Sequence, residues 1–372
     1  MRVLMLSTDK KILDKNSEAQ QRMADYGSVF DELHVVIYTK GPDIKERIAA
    51  NVFVYTTNSF AGISYFFDAY ELAGKIIKDR KISVITCQDP FETGLVGWFL
   101  KMRFHLPLQL QIHTDIFSPY FWKESFKNKL RVRLAKFLLP KADSIRVVSK
   151  RIRNSLLALY PKPYTLNPIT ILPVFVDIQR IQSAGIGTDL HKKYPRHDFI
   201  FLMASRLTRE KNIGMAIEAM KDLCQMSNVQ CQMLLLIVGD GPEEKYLKAK
   251  SSKLKANIVF EPWTDDLVSY YKTADAFLLT SNYEGYGRTV VGAMAAGLPV
   301  IMTNVGLAGD VLKDNLNGLI VPVGNSDELK RGMRILMDNK EKRSDIGRGS
   351  VKSVSNFTIK KDYLEKYADS LK

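Results

Sequence analysis

Short, almost wholly apolar runs alternate with longer segments of helical period along most of the chain. Arg2-Val3-Leu4-Met5-Leu6, Leu33-His34-Val35-Val36-Ile37, Ser83-Val84-Ile85-Thr86, Leu108-Gln109-Leu110-Gln111-Ile112 and Ile145-Arg146-Val147-Val148 make a first series. Residues 199–204, 233–238, 258–260 and 274–280 make a second. Runs this short, apolar on both faces, predict strands buried between two layers, and their alternation with helical segments predicts parallel sheets covered by helices, an α/β chain. Between the series, Pro173-Val174-Phe175-Val176-Asp177 is followed by Ala184-Gly185-Ile186-Gly187 and a polar stretch. A boundary there gives domains over 1–175 and 176–356, each large enough for its own core. Residues 357–372 read as a closing helix.

Charge changes this picture locally. The chain has 372 residues and a net charge of +14. Eleven of its cations fall within residues 123–153 (Lys123, Lys127, Lys129, Arg131, Arg133, Lys136, Lys141, Arg146, Lys150, Arg151, Arg153), against Glu124 and Asp143. Phe117, Tyr120, Phe121 and Trp122 lie just before, so residues 117–153 read either as a solvated basic face or as a surface for anionic lipid heads. Leu130, Leu134, Phe137 and Leu138, at helical spacing, are expected to face the core. Nucleic acid is not an expected partner, because no recognised binding motif accompanies the charge. No run reaches the roughly 18 apolar residues of a spanning helix, and residues 1–6 form a strand rather than a signal peptide. Cys87, Cys224 and Cys231 have no metal-binding spacing and read as three reduced thiols. A cytoplasmic protein is expected, with the basic segment as the part that would meet the inner face of a membrane.

Candidate chemistry sits in the loops that follow the second series. Ser205-Arg206-Leu207-Thr208-Arg209-Glu210-Lys211-Asn212 follows one run, and Arg206 and Lys211 could both reach a diphosphate, one as a fork and the other as a point charge. Gly239-Asp240-Gly241-Pro242 is a turn that would let backbone approach a ligand. Glu261-Pro262-Trp263-Thr264 follows the next run. Ser281-Asn282-Tyr283-Glu284-Gly285-Tyr286-Gly287-Arg288-Thr289 then places a carboxylate in a glycine-loosened loop that opens a helix. A helix start attracts anions and Glu284 accepts from hydroxyls, which suits a sugar attached to a phosphate.

The order and spacing across residues 205–322 resemble the donor site of retaining glycosyltransferases of family 4. The resemblance implies the GT-B fold, two Rossmann-like domains whose parallel sheets face a cleft, with the closing helix packed back on the N-terminal, acceptor-binding domain. It implies transfer of a sugar from a nucleotide-diphosphate sugar to a hydroxyl acceptor, such as a lipid-linked or cell-envelope glycan precursor, with Glu284 on the sugar and Arg206 and Lys211 on the diphosphate. Gly239, Gly241, Pro262, Trp263, Thr264, Gly285, Tyr286, Gly287, Arg288 and Thr289 would line the nucleotide. His113, in Gln111-Ile112-His113-Thr114-Asp115, matches a histidine that the family places beside the donor sugar; Asp115 either orients it or caps the next segment. No Asp-x-Asp motif ends a strand in this arrangement, and two cations can neutralise the departing diphosphate, so no metal or other cofactor is expected. The chain departs from the family at two places. Ser7-Thr8-Asp9-Lys10-Lys11 stands where many members have a Gly-Gly loop. Gly292 stands where the family has a second Glu, on the ribose, so Gly292→Glu is expected to tighten nucleotide binding, and a sugar-nucleotide-binding protein without turnover is the alternative reading.

Overall fold

The computed structural model describes residues 1–42, 44–60, 62, 64–160, 167–226, 232–254 and 256–372. They form two compact units: Met1–Pro173 with Ile359–Lys372, and Val174–Thr358. The first holds an eight-stranded sheet of β1 (Arg2–Ser7), β2 (Glu32–Ile37), β3 (Lys45–Ala49), β4 (Val52–Thr56), β5 (Val84–Cys87), β6 (Leu108–Ile112), β7 (Ser144–Val147) and β8 (Ile169–Ile171), in the order β3-β4-β2-β1-β5-β6-β7-β8. All neighbours are parallel except β3, which runs antiparallel to β4 at the edge. The second unit holds a parallel sheet of β9 (Phe199–Ala204), β10 (Met233–Val238), β11 (Ile258–Glu261), β12 (Ala276–Leu279), β13 (Val300–Thr303) and β14 (Leu319–Val321), in the order β11-β10-β9-β12-β13-β14.

The central strands show why the apolar runs read as they do. Every residue of β9, β10, β12 and β13 is buried, because helices cover both faces. Met203, Leu235, Ile237 and Leu278 pack with Ile213, Ile217 and Met220 of the helix Ile213–Met226 in one core. The edge strand β3 instead reads Lys-Glu-Arg-Ile-Ala, with no buried position, and pairs on one side only. The closing helix, Lys360–Asp369, belongs to the first unit, where Tyr363 and Tyr367 are buried against Tyr26.

The helix Phe126–Leu138 corrects the expected orientation of the basic segment. Its buried positions are Asn128, Val132, Ala135 and Leu138, while Phe126, Leu130 and Phe137 are exposed and Leu134 is half-buried. Two polar contacts turn it: Asn128 Nδ2 donates to the Phe121 carbonyl at 3.1 Å, and Arg131 pairs with Glu92 at 2.7 Å. Phe121 is itself buried. The thiols also differ from expectation. Cys87 is free and buried, and burial pushes its pKa up, but Cys224 is disulfide-bonded; Cys231 lies outside the described residues. Among the described residues no helix is long and apolar enough to cross a membrane.

Candidate functional site

In both sheets the strand order reverses beside the first strand of the unit, between β1 and β5 and between β9 and β12. At such a reversal the loops leaving the two adjacent strands diverge, and a crevice opens at the carboxyl ends. The loop 205–212 leaves β9 and the loop 280–287 leaves β12, so the sheet order alone brings Lys211 and Glu284 to one place. The loops are then stitched together. Thr280 Oγ1 donates to the carbonyls of Lys211 (2.9 Å) and Asn212 (3.0 Å), the Asn282 N–H donates to the Glu210 carbonyl (2.7 Å), and Asn212 Nδ2 donates to Asn282 Oδ1 (3.1 Å). Asn212 takes the left-handed conformation (φ 45°) that asparagine tolerates, which ends the short turn carrying Lys211.

On this frame Lys211 Nζ pairs with Glu284 Oε1, and Ser281 Oγ donates to the same oxygen at 3.0 Å. The two charged side chains are 15% and 14% exposed, so neither is a solvated surface charge. The sequence assigns them to different parts of a ligand, and their pairing is a product of the fold. Ser281 and Asn282 received no role from the sequence, although the spacing of Ser281 from Glu284 is the signal that could have found it. Arg206 is not part of this cluster: its side chain is 75% exposed and 3.5 Å from Glu210 Oε1.

Gly287 (φ 106°) turns the chain into the helix Arg288–Ala295, whose start has no side-chain cap. This helix start follows Glu284 closely in the chain, and a helix start suits an anion. Trp263 is half exposed, and its backbone N–H donates to Asp240 Oδ2 at 3.2 Å; Pro262 is exposed and Thr264 half-buried. Gly239 and Gly241 sit where two loops meet. A Cβ at Gly239 would lie 2.0 Å from the Ser205 carbonyl oxygen and one at Gly241 2.3 Å from that of Leu207, so both glycines serve contact between the two loops. Gly292 is likewise no vacancy. A Cβ there would meet Tyr271 Cε2 at 2.8 Å, and Tyr271 is buried with its ring against Phe277. The ring fills the space that a glutamate stem needs, and the expected gain from Gly292→Glu is withdrawn.

In the first unit, Ser7 Oγ donates to Gln88 Oε1 at 2.6 Å across the reversal between β1 and β5, and Asp9 caps the turn Lys10–Leu13 where the family has its Gly-Gly loop. His113 follows β6, with Nε2 2.9 Å from Gln111 Oε1. Burial, reinforced by Arg146 and Arg22, pushes its pKa down to about 3, so the imidazole is neutral at pH 7. Backbone N–H groups of Phe117 and Ser118 favour the charged form of Asp115, its Oδ1 has no hydrogen-bond partner among the described residues, and Ser118 is the residue that caps the helix Pro119–Glu124. Burial raises the pKa of Asp115, and also that of Asp89, which accepts from the N–H groups of Phe91 and Thr93 at the start of the helix Glu92–Phe104.

Known proteins resemble this chain along most of its length. Residues 188–352 match the family model of glycosyl transferases group 1, and residues 31–180 match that of glycosyltransferase family 4. An uncharacterised glycosyltransferase of Methanocaldococcus jannaschii is 25% identical over 89% of this chain and 87% of its own. The UDP-Gal:alpha-D-GlcNAc-diphosphoundecaprenol alpha-1,3-galactosyltransferase of Escherichia coli is 27% identical over 72% of this chain and 69% of its own. Among solved structures, Anabaena HepE in complex with UDP-glucose superposes with a TM-score of 0.77 at 19% identity, covering 100% of this chain and 99% of that one. At that identity the likeness carries the fold.

Proposed function

The chain belongs to the glycosyltransferases of the GT-B, family 4 type, and from that premise we propose that it moves a sugar, with retention at the anomeric carbon and without a metal, from a UDP-sugar to the hydroxyl of a lipid-linked acceptor. The observation that carries this reading is the half-buried Lys211–Glu284 pair at the strand-order reversal of the second unit, beside the uncapped start of the helix Arg288–Ala295. An ammonium and first-turn N–H groups together neutralise a diphosphate, while a carboxylate held by Ser281 accepts from sugar hydroxyls. As the acceptor hydroxyl oxygen bonds to the anomeric carbon, the bond from that carbon to the diphosphate oxygen breaks; the hydroxyl proton passes to the departing diphosphate, and the negative charge that develops there is met by Lys211, the helix start and the exposed arm of Arg206. Trp263 and its neighbours are assigned to the base. UDP is favoured because HepE binds UDP-glucose, and a polyprenyl or other lipid-linked acceptor because the E. coli relative acts on one.

The first unit supports the lipid side of this reading. Phe126, Leu130, Arg133 and Phe137 lie at i, i+4, i+7 and i+11 on the outward face of one helix, among Lys127, Lys129 and Lys136. Phe137 meets Trp98 edge-on at 5.3 Å, and the contacts continue through Phe99 to Phe66. Lys141 Nζ lies 4.4 Å from the centre of the Phe137 ring. An apolar stripe bordered by cations is the composition of an interfacial anchor.

A thermal-shift series with UDP, GDP, ADP and their sugar conjugates tests the donor. UDP-glucose or UDP-galactose raises the melting temperature; a protein stabilised by none of these ligands is not a sugar-nucleotide enzyme. Lys211→Ala weakens UDP binding by about 1.5–3 kcal/mol, the scale of a charged hydrogen bond, and Arg206→Ala by less, because an exposed arm is screened. Release of UDP in the presence of acceptor separates turnover from binding alone, and the anomeric configuration of the product, read by NMR, tests retention.

A further inference from the structure

Gln111 connects a buried cation to His113, and hydrogen-bond chemistry along that connection permits one arrangement of protons. A guanidinium only donates. Arg146 Nη1 lies 3.0 Å from one terminal atom of the Gln111 amide, so that atom is the carbonyl oxygen. The amide nitrogen at the other end donates to Thr86 Oγ1 at 2.8 Å and lies 3.3 Å from the Tyr367 hydroxyl. The same Gln111 oxygen lies 2.9 Å from His113 Nε2, and an oxygen that only accepts requires a hydrogen on that nitrogen. A neutral imidazole carries one N–H, so Nδ1 is left with its lone pair. The direction of each bond follows from the donor-only character of arginine, with no freedom to flip the amide.

Arg146 is suited to this role because it cannot move. It is 1% exposed, and it also meets the Leu172 carbonyl (3.2 Å), the Pro173 carbonyl (3.4 Å), the Tyr363 hydroxyl (2.9 Å), the face of Tyr367 (4.9 Å) and the Tyr26 hydroxyl. These are neutral groups, so its positive charge acts outward on His113 and disfavours a second proton there. The charged groups that act on His113 are Arg146 of β7 and Arg22 of the helix Glu18–Gly27, the latter paired with Asp9 at 3.3 Å. Asp115 lies two residues along; backbone N–H groups of Phe117 and Ser118 favour its charged form, and its Oδ1 has no hydrogen-bond partner among the described residues.

We propose that Arg146, acting through Gln111, is a positioning residue that locks His113 as the neutral Nε2–H tautomer, so that Nδ1 presents a lone pair to a ligand hydroxyl and His113 does not act as a proton donor. The acceptor role rests on the sugar-nucleotide reading proposed above; the lock does not. Tyr363 and Tyr367 come from the closing helix Lys360–Asp369, so the docking of that helix is part of the lock.

Long-range ¹H–¹⁵N correlation spectra of the full chain with ¹⁵N-labelled histidine test both parts. The His113 signals are identified by their loss in His113→Gln. In the wild type they show a protonated Nε2 and a bare Nδ1, unchanged between about pH 8 and pH 5, where a free imidazole titrates. A protonated Nδ1, or titration in that range, overturns the lock. Arg146→Met gives mixed tautomers that titrate in the ordinary range, while Gln111→Glu keeps the tautomer and raises the pH at which His113 protonates. Gln111→Glu keeps the acceptor and a partner for Arg146, so it remains informative if Arg146→Met does not fold. A His113 that titrates alike in wild type and Gln111→Glu overturns the connection. Addition of UDP-glucose shifts the Nδ1 resonance; a lock that stands with Nδ1 indifferent to the sugar nucleotide overturns the acceptor role and leaves the tautomer as inferred.

Discussion

Two contacts of the candidate site, Gly292 against Tyr271 and Lys211 with Glu284, can be tested without a substrate. Gly292 is pressed against the Tyr271 ring, with 2.8 Å from its would-be Cβ to Cε2. Gly292→Glu must move a buried aromatic ring and place a carboxylate among apolar neighbours, so urea denaturation should show a loss of about 1–3 kcal/mol or more, as for other overpacked cores. The double variant Tyr271→Ala/Gly292→Glu should recover part of that loss, because the two sites are in contact. A single variant as stable as the wild type would remove this account. The Lys211–Glu284 pair gives a second cycle. Lys211→Met alone leaves a half-buried carboxylate uncompensated and should cost about 1–3 kcal/mol; adding Glu284→Gln should return much of it. Additive losses would mean that the two charges do not interact. Lys211 and Glu284 were readable as candidates because each sits in a short loop after an apolar run. Their pairing was not, because 73 residues of sequence separation are closed only by the β9–β12 pairing. Tyr271 was invisible as the neighbour of Gly292 for the same reason.

At the level of elements, the sequence was readable where burial is complete. Strands covered on both faces must be apolar throughout, so β9, β10 and β12 stand out; the edge strand β3, Lys-Glu-Arg-Ile-Ala, carries no such mark. The helix Phe126–Leu138 was misread in its rotation because apolar residues occupy both its faces. Period alone cannot say which stripe is inward when polar contacts, here those of Asn128 and Arg131, decide it. The outward stripe has a consequence that can be measured by sedimentation with liposomes. The protein should bind vesicles containing anionic lipid, bind neutral ones little, and be released as salt rises past the range where the Debye length falls below about 8 Å. Phe126→Ser/Phe137→Ser should weaken binding at every salt concentration, whereas Lys127→Gln/Lys136→Gln should chiefly reduce its salt dependence. Equal binding to neutral and anionic vesicles would leave the stripe without an electrostatic component.

For the molecule as a whole, the α/β class followed from alternation alone, since parallel strands require helical crossovers. The polar network of the first unit did not. Arg146 and Gln111 lie inside runs that read as strands, and nothing local marks them as partners of Tyr363, which is 217 residues from Arg146. That network predicts how stability depends on pH. The folded-state pKa of His113, about 3, lies below the ordinary 6.5. Between those values the unfolded chain binds a proton that the folded chain does not, so this group's contribution is present above about pH 6.5 and is lost progressively as pH falls toward 3. Buried Asp89 and Asp115, whose pKa values are raised, work in the opposite sense as pH falls. The His113 effect is therefore isolated by comparing the wild type with His113→Gln, which removes the titrating group and keeps a donor toward Gln111. Between pH 7 and pH 5 the wild type should lose about 2 kcal/mol more than the variant, read by hydrogen exchange of the β6 amides so that the first unit alone is reported. Parallel pH slopes for the two proteins would show that His113 is protonated as readily folded as unfolded, and that the charge of Arg146 does not reach it.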